Sequence, residues 1–339
     1  MRSGKGHVVC FGEVMLRFAT SVGRAIADAQ SLDLTIGGAE ANVAVGLVAM
    51  GHDARFVGMV PEGPLGAKAR SAIAGARVDT RWFIDGPGRM GLYFLEVGGS
   101  LRASSITYDR ADSAFASALP EAFDFAGALE GASLFHISGI TAALGPKGVN
   151  LARAGMEAAR AAGVPISFDC NFRERLWNAW DSNPKEILTE LIGHADILFA
   201  NHRDMTLLLG RPFSGDGPER RREAVEAAFD AFPRLKVMAS TARTPLTQTH
   251  HRLAARVDLR DDRFQTREVE ITDIIDRVGS GDAFAAGVLT GWLEGGDARR
   301  MAELGLAMNA LKHSLHGDFF RLPRMEVETF TGAGGDVRR

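Results

Sequence analysis

The stretch Glu270-Ile271-Thr272-Asp273-Ile274-Ile275-Asp276-Arg277-Val278-Gly279-Ser280-Gly281-Asp282-Ala283-Phe284-Ala285-Ala286-Gly287 reads as strand, turn and helix in succession. Residues 270–275 have the apolar content of a short strand, and the apolar run after Asp282 carries a helix to about residue 293. Gly279 and Gly281 permit a tight turn whose backbone N–H groups converge on one point. A helix N-terminus adds partial positive charge there, so the turn reads as an anion hole suited to a phosphoryl group. Asp282 stands where an N-cap would stand. A cap alone needs no Gly-x-Gly before it. Nor does it need Ala283, Ala285, Ala286 and Gly287 behind it, which allow the helix to pack closely on a sheet.

Outward from this unit, strand-like runs at 8–11, 54–60, 134–137, 165–169, 197–200 and 236–239 alternate with helical segments at 39–50, 66–74, 147–162, 184–192 and 221–231. The strands are apolar throughout, as strands covered on both faces should be. This rhythm predicts a mostly parallel sheet with right-handed crossovers. Residues 13–36 and 89–110 break it with alternating strands and no helix, including a Gly98-Gly99 turn. They predict a small β lid over the carboxyl ends of the strands, the edge where such sheets place ligands. The expected division is 1–12, 37–88 and 111–330 for the α/β core, 13–36 and 89–110 for the lid, and 331–339 as a flexible tail. The apolar alternation Leu92-Tyr93-Phe94-Leu95 in the lid predicts a surface that finds a partner, hence a homodimer through the lid.

Bulk properties exclude several classes. With 339 residues, 46% hydrophobic and 24% charged, the chain is an ordinary globular one with a sizeable core. A net charge of −3 gives no sign of a nucleic-acid or membrane-surface binder, although six Lys stand against 33 Arg. The run Arg220-Arg221-Arg222 lies between Glu219 and Glu223 and reads as a solvated helix face. Cys10 and Cys170 sit inside strand-like runs as buried free thiols of a reducing compartment. No stretch reaches the ~20 apolar residues of a membrane span, and the N-terminus has no signal-peptide pattern. A cytoplasmic protein is expected.

Two further segments carry chemistry. Gly37-Gly38-Ala39-Glu40-Ala41-Asn42 is a glycine pair opening a helix. Asp169-Cys170-Asn171-Phe172-Arg173 alternates polar residues directly after a strand, which would send Asp169, Asn171 and Arg173 to one side. Taken singly, the first fits any strand–helix turn and the second a surface salt-bridge cluster.

Together with Asp276–Asp282, these segments resemble the ribokinase-like (PfkB) carbohydrate kinases over nearly the whole chain. The Gly-Gly-x-x-x-Asn signature lies near the N-terminus and the Asp-x-x-Gly-x-Gly-Asp signature near the C-terminus. Within that family the chain is most similar to 2-keto-3-deoxygluconate kinases, through Gly91-Leu92-Tyr93, Tyr108-Asp109-Arg110, the run 135–141, Asp169-x-Asn171-x-Arg173-x-x-Leu176-Trp177 and Gly317-Asp318-Phe319. The resemblance implies a three-layer α/β/α sandwich with a β lid, and ATP-dependent phosphorylation of a sugar-acid hydroxyl, 2-keto-3-deoxygluconate to its 6-phosphate. A kinase for fructose or ketodeoxygalactonate, or a non-catalytic sugar-binding relative, are the alternatives; an NAD-dependent oxidoreductase lacks its dinucleotide fingerprint.

By the same resemblance Asp282 is the catalytic base, ionised already at an ordinary carboxylate pKa of ~3.9, with the amides of Gly279, Ser280 and Gly281 on the transferring phosphoryl group. Gly37, Gly38, Asn42, Tyr93, Tyr108, Arg110 and Arg173 would bind the sugar. The arginines take its carboxylate, which Lys cannot grip bidentately. Asn171, Asn201, Ser240, Thr241, Arg243 and Asn309 would hold the nucleotide. The implied cofactors are ATP and Mg2+, with a monovalent cation as a further candidate. Mg2+ would be held mainly by phosphates and water, with Asp204 acting through water. In two places the chain departs from the family. Asn201-His202-Arg203-Asp204 has Asp where relatives carry Glu, and residues 239–251, expected to be a nucleotide loop, contain no glycine. His250-His251 has no third ligand at metal-binding spacing and reads as surface.

Overall fold

The computed structural model describes residues 6–330, so the tail expected at 331–339 lies outside the described residues. Fourteen strands are present among them: β1 (His7–Phe11), β2 (Met15–Ala19), β3 (Asp33–Gly37), β4 (Ala54–Pro61), β5 (Phe83–Gly86), β6 (Gly91–Glu96), β7 (Ser105–Asp109), β8 (Ala132–Ser138), β9 (Ile166–Asp169), β10 (Ile197–Phe199), β11 (Val237–Thr247), β12 (His250–Leu259), β13 (Arg263–Gln265) and β14 (Val269–Ile271). The main sheet runs β13-β12-β11-β10-β9-β8-β1-β4-β5, with β14 beside β12. From β11 to β5 every pairing is parallel.

The pleat of β1 shows how the layers form. Val8 and Cys10 belong to one buried cluster and Val9 and Phe11 to the other, so each face of the sheet is covered by helices. This is the α/β/α sandwich. Both cysteines are buried and free.

Beyond β11 the chain does what its sequence rhythm did not announce. The stretch expected to be a nucleotide loop is mostly strand: β11 extends to Thr247 and pairs antiparallel with β12. Arginine-rich β12 reads poorly as a strand, yet Arg256 is buried because Asp258, two residues on and on the same face, takes its guanidinium in two hydrogen bonds. The helix Ala298–Lys312 also lacks an apolar stripe to betray it, since it is buried on most sides.

The small sheet runs β3-β2-β6-β7. β2 is antiparallel to β3 but parallel to β6, and β6 and β7 form the hairpin expected around Gly98-Gly99. Tyr93 and Leu95 are the buried set of β6, while Leu92 and Phe94 face the other way and are partly exposed. Phe18 and Phe94 stack there with ring centroids 5.4 Å apart, beside exposed Leu34.

One helix contact places the chemistry. The helix Ala39–Ala49 lies against the helix Ser280–Leu293, where a Cβ on Gly46 would approach Ala286 Cβ to 2.7 Å. On its other side, Gly287 leaves no room for a Cβ beside the Leu304 carbonyl. The small residues after Asp282 thus serve close packing on two helices rather than on the sheet.

Candidate active site

That packing brings the two signatures together. Asn42 Nδ2 donates to Asp282 Oδ2 at 2.6 Å, while Asn42 Oδ1 accepts from Gly38 N at 3.4 Å. Asn42 therefore orients Asp282 from the cavity wall. Around the pair opens a cavity of about 300 Å³. Larger hollows of about 410 and 500 Å³ flank Phe264 near the β13 edge, but the convergent polar groups gather in the smaller one.

The turn before Asp282 is tightly constrained. Gly279 has φ 83, in the left-handed region, and a Cβ there would strike the Asp318 carbonyl, so only glycine fits. The Ser280 amide closes a turn on Arg277 O at 3.1 Å and is not available to a ligand. Gly281 and Asp282, in the first helical turn, have amides without intrahelical acceptors at the cavity.

Asp169, Asn171 and Arg173 all reach the cavity, though not as an extended strand. β9 ends at Asp169, Asn171 turns left-handed with φ 38 while its amide donates to Asp169 Oδ1, and Arg173 begins the short helix Glu174–Trp177. Arg173 carries no ion pair among the described residues, and its charge favours the ionised forms of Asp169, Asp204 and Asp282. Arg243 and Arg277 also line the cavity, without a carboxylate partner among the described residues. Burial, then the neighbouring Arg277, lowers the Arg243 pKa from its ordinary value. Unpaired guanidiniums beside free helix amides fit the donor set of a polyphosphate.

Burial tunes the carboxylates. It raises Asp282 to about 6, with the Asn42 hydrogen bond opposing, and Asp169 to about 7, with the nearby Asp282 charge adding. Asp282 is therefore still mostly ionised at neutral pH, but it is not the ordinary carboxylate the sequence suggested.

The remaining expected residues divide. Gly38 lines the cavity and Gly37 does not, and both are tightly packed: a Cβ on Gly37 would strike the Asp318 carboxyl and one on Gly38 the Glu13 carbonyl. Tyr93 and Tyr108, cross-strand partners, both line the cavity, and the Tyr93 hydroxyl donates to Asp318 Oδ2 at 2.5 Å. Arg110 does not line it. It is 4% exposed, and its guanidinium is taken by buried Glu13, whose other oxygen accepts from Ser113. Asn201 and Asp204 cap the helix His202–Leu209, with Asn201 N donating to Asp204 Oδ2 at 2.7 Å, and neither lines the cavity. Ser240 and Thr241 are ladder residues of β11, and Asn309 is buried in the helix Ala298–Lys312; these too stand off the cavity wall. No group of three or more His, Cys, Asp or Glu that could hold a metal ion occurs among the described residues.

Sequence reading missed a second buried network. Arg17 bridges Asp276 Oδ2 at 2.7 Å and Asp318 Oδ1 at 3.0 Å, and so ties β2 of the small sheet to both loops beneath the cavity. Asp318 lies at the cavity through this network. Its signal was present in Gly317-Asp318-Phe319, but nothing in sequence joins it to Arg17.

An α/β/α sandwich with a buried carboxylate at a helix mouth and three arginines around it is thus on hand. The family model for the pfkB family carbohydrate kinases matches residues 5–323, and the chain belongs to that family. It is 31% identical to the 2-dehydro-3-deoxygalactonokinase of Haloferax volcanii, over 98% of each chain. It superposes with TM-score 0.90 on the 2-dehydro-3-deoxygluconokinase of Thermotoga maritima, at 37% identity, covering 95% of this chain and 98% of that one. At 20% identity the fold is also that of an Escherichia coli chain described as ribokinase II, in complex with ATP and Mg2+ (TM-score 0.79; 96% and 98% covered). The protein is a carbohydrate kinase. No helix among the described residues is long and apolar enough to cross a membrane.

Proposed function

We propose that this kinase transfers the γ-phosphoryl group of ATP to a hydroxyl of a 2-keto-3-deoxy sugar acid, with 2-keto-3-deoxygluconate giving its 6-phosphate. The observation that carries the reading is the shared cavity of Asp282, fixed by Asn42, and Arg173, which makes no ion pair among the described residues. Asp282 accepts the hydroxyl proton as the oxygen attacks phosphorus in line, and ADP leaves. The first-turn amides with Arg243 and Arg277 hold the phosphoryl charge, and Arg173 pairs with the sugar carboxylate. Mg2+, when bound with ATP, would neutralise phosphate charge, held mainly through the phosphates and water. The galactonate epimer is the second reading, favoured by the Haloferax relative. ADP release from a panel of ketodeoxygluconate, ketodeoxygalactonate and fructose tests this: a fructose preference removes the carboxylate argument. A kinase fed by ATP belongs in the cytoplasm. The partly exposed Phe18, Leu34 and Phe94 face of the small sheet supports a homodimer, and a monomeric mass by light scattering at micromolar concentration would sink it.

A further inference from the structure

Lys312 ends the helix Ala298–Lys312 and is fully buried, at 0% exposure. It makes no ion pair among the described residues. Its Nζ donates instead to two backbone carbonyls, Leu315 O at 3.1 Å and Asp276 O at 3.4 Å. Removing a lone ammonium from water costs several kcal/mol, so its surroundings must offset that cost. They do so as they would for a bare ion. Two carbonyl dipoles point at it, the helix C-terminus supplies partial negative charge, and Asp276, Asp318 and Asp282 stand near, opposed by Arg17. Carbonyl oxygens from facing loops around a compact positive charge are the coordination an alkali cation takes.

The two loops it joins are those that shape the active site. Asp276 opens the turn to Asp282: its carboxylate accepts from Val278 N at 3.0 Å and Gly317 N at 3.1 Å. Ile275 N and Asp276 N donate across to His313 O, and Gly279 packs on the Asp318 carbonyl. An uncompensated pair of buried carbonyls at this seam would push the loops apart and carry Gly279–Asp282 with them.

We propose that the Lys312 ammonium is a built-in substitute for a bound monovalent cation, a positioning residue that fixes the Asp276–Asp282 turn, so that the kinase needs no K+ or Na+. A separate monovalent cation does not fit the seam, because the ammonium already occupies its carbonyls. The inference rests on the kinase reading, and its test has an arm that does not.

Initial rates are measured with Mg·ATP and 2-keto-3-deoxygluconate in choline chloride and in KCl at equal ionic strength. The wild type is expected to differ by less than about twofold between them, there being no transition-state contact for K+ to add. Lys312→Ala opens the carbonyl-lined space; its kcat in choline falls roughly tenfold or more, because misplaced reacting groups lose rate steeply. K+ or NH4+ restores it saturably. Lys312→Met fills the space with an apolar chain and stays slow in every salt. The substrate-free arm compares melting temperatures: KCl raises that of Lys312→Ala over choline chloride and leaves the wild type unmoved. If no sugar is turned over, the substrate reading fails while the melting arm still decides this one. Severalfold K+ activation of the wild type, wild-type kcat in Lys312→Met, or a Lys312→Ala protein that neither folds nor recovers with K+ would each overturn the proposal.

Discussion

Asn42 and Asp282, 240 residues apart in the chain, meet in a 2.6 Å hydrogen bond at the mouths of two packed helices. The bond lowers the Asp282 pKa while burial raises it, leaving the carboxyl at about 6. Asp282→Asn should reduce kcat by about 10²–10⁴-fold, the ordinary worth of a general base, with sugar KM changed only a few-fold. An ADP-release assay on folded protein decides it; near wild-type kcat would take the base role away from Asp282.

The same bond sets the acid limb of activity. A base must be ionised, so kcat/KM should fall as pH drops through about 6. Asn42→Ala removes the donor that favours the carboxylate, so the limb should move to higher pH. A pH profile of kcat/KM for the two proteins checks the direction. A limb that stays put would mean another group governs it.

Arg110 and Arg173 looked equivalent in sequence and are opposites in the structure. Arg110→Ala strands the buried Glu13 carboxylate and should cost about 3–5 kcal/mol of stability. KM of the protein that remains folded should hardly change. Arg173→Ala should leave the melting temperature near wild type and raise KM for the acid sugar about tenfold or more, as befits a lost charged hydrogen bond. Denaturant titration alongside kinetics separates the two, and the reverse pattern would exchange their roles.

The contrast shows what sequence could carry. Parallel strands, the lid hairpin and the helix mouths at Gly38 and Gly279 are local patterns of period and glycine, so residues close in sequence disclosed them. Arg17, Asp276 and Asp318 form a unit only after β2 crosses beneath the Asp276–Asp282 turn. Arg110 carries the same sequence signal whether it faces solvent, sugar or Glu13. The nucleotide side was obscure for a related reason: β12 buries Arg256 against Asp258 on its own face, a charged pair that hydrophobic alternation does not register.

Gly279→Ala tests the turn that carries both the first-turn amides and Asp282. The added methyl forces a left-handed φ on a side-chain residue, a cost of about 1–2 kcal/mol, and must displace the Asp318 carbonyl. Loss of stability should come with a larger loss in kcat than in sugar affinity, because the Gly281 and Asp282 amides move with the turn. Unchanged kcat in a folded variant would show that these amides do not hold the phosphoryl group.

Glu40 gives a prediction on stability. It lies two residues before Asn42, fully buried; Oε1 accepts from Ser138 N at 3.0 Å and Ser138 Oγ at 2.5 Å, and Oε2 has no partner among the described residues. Burial lifts its pKa from 4.5 to about 7. A carboxyl with a raised pKa binds its proton more tightly when folded. Its stabilising share is complete below 4.5 and lost as pH rises through about 7. Glu40→Gln is neutral throughout, so its stability relative to wild type should improve between pH 5 and pH 8 by about 1 kcal/mol or more. Urea unfolding of both proteins at the two pH values measures the difference. Comparing the two proteins cancels the opposing contributions of His136 and His251, which burial lowers to about 3 and about 4. A difference that does not change with pH would mean that Glu40 is already ionised in the folded protein at pH 5, held so by Ser138.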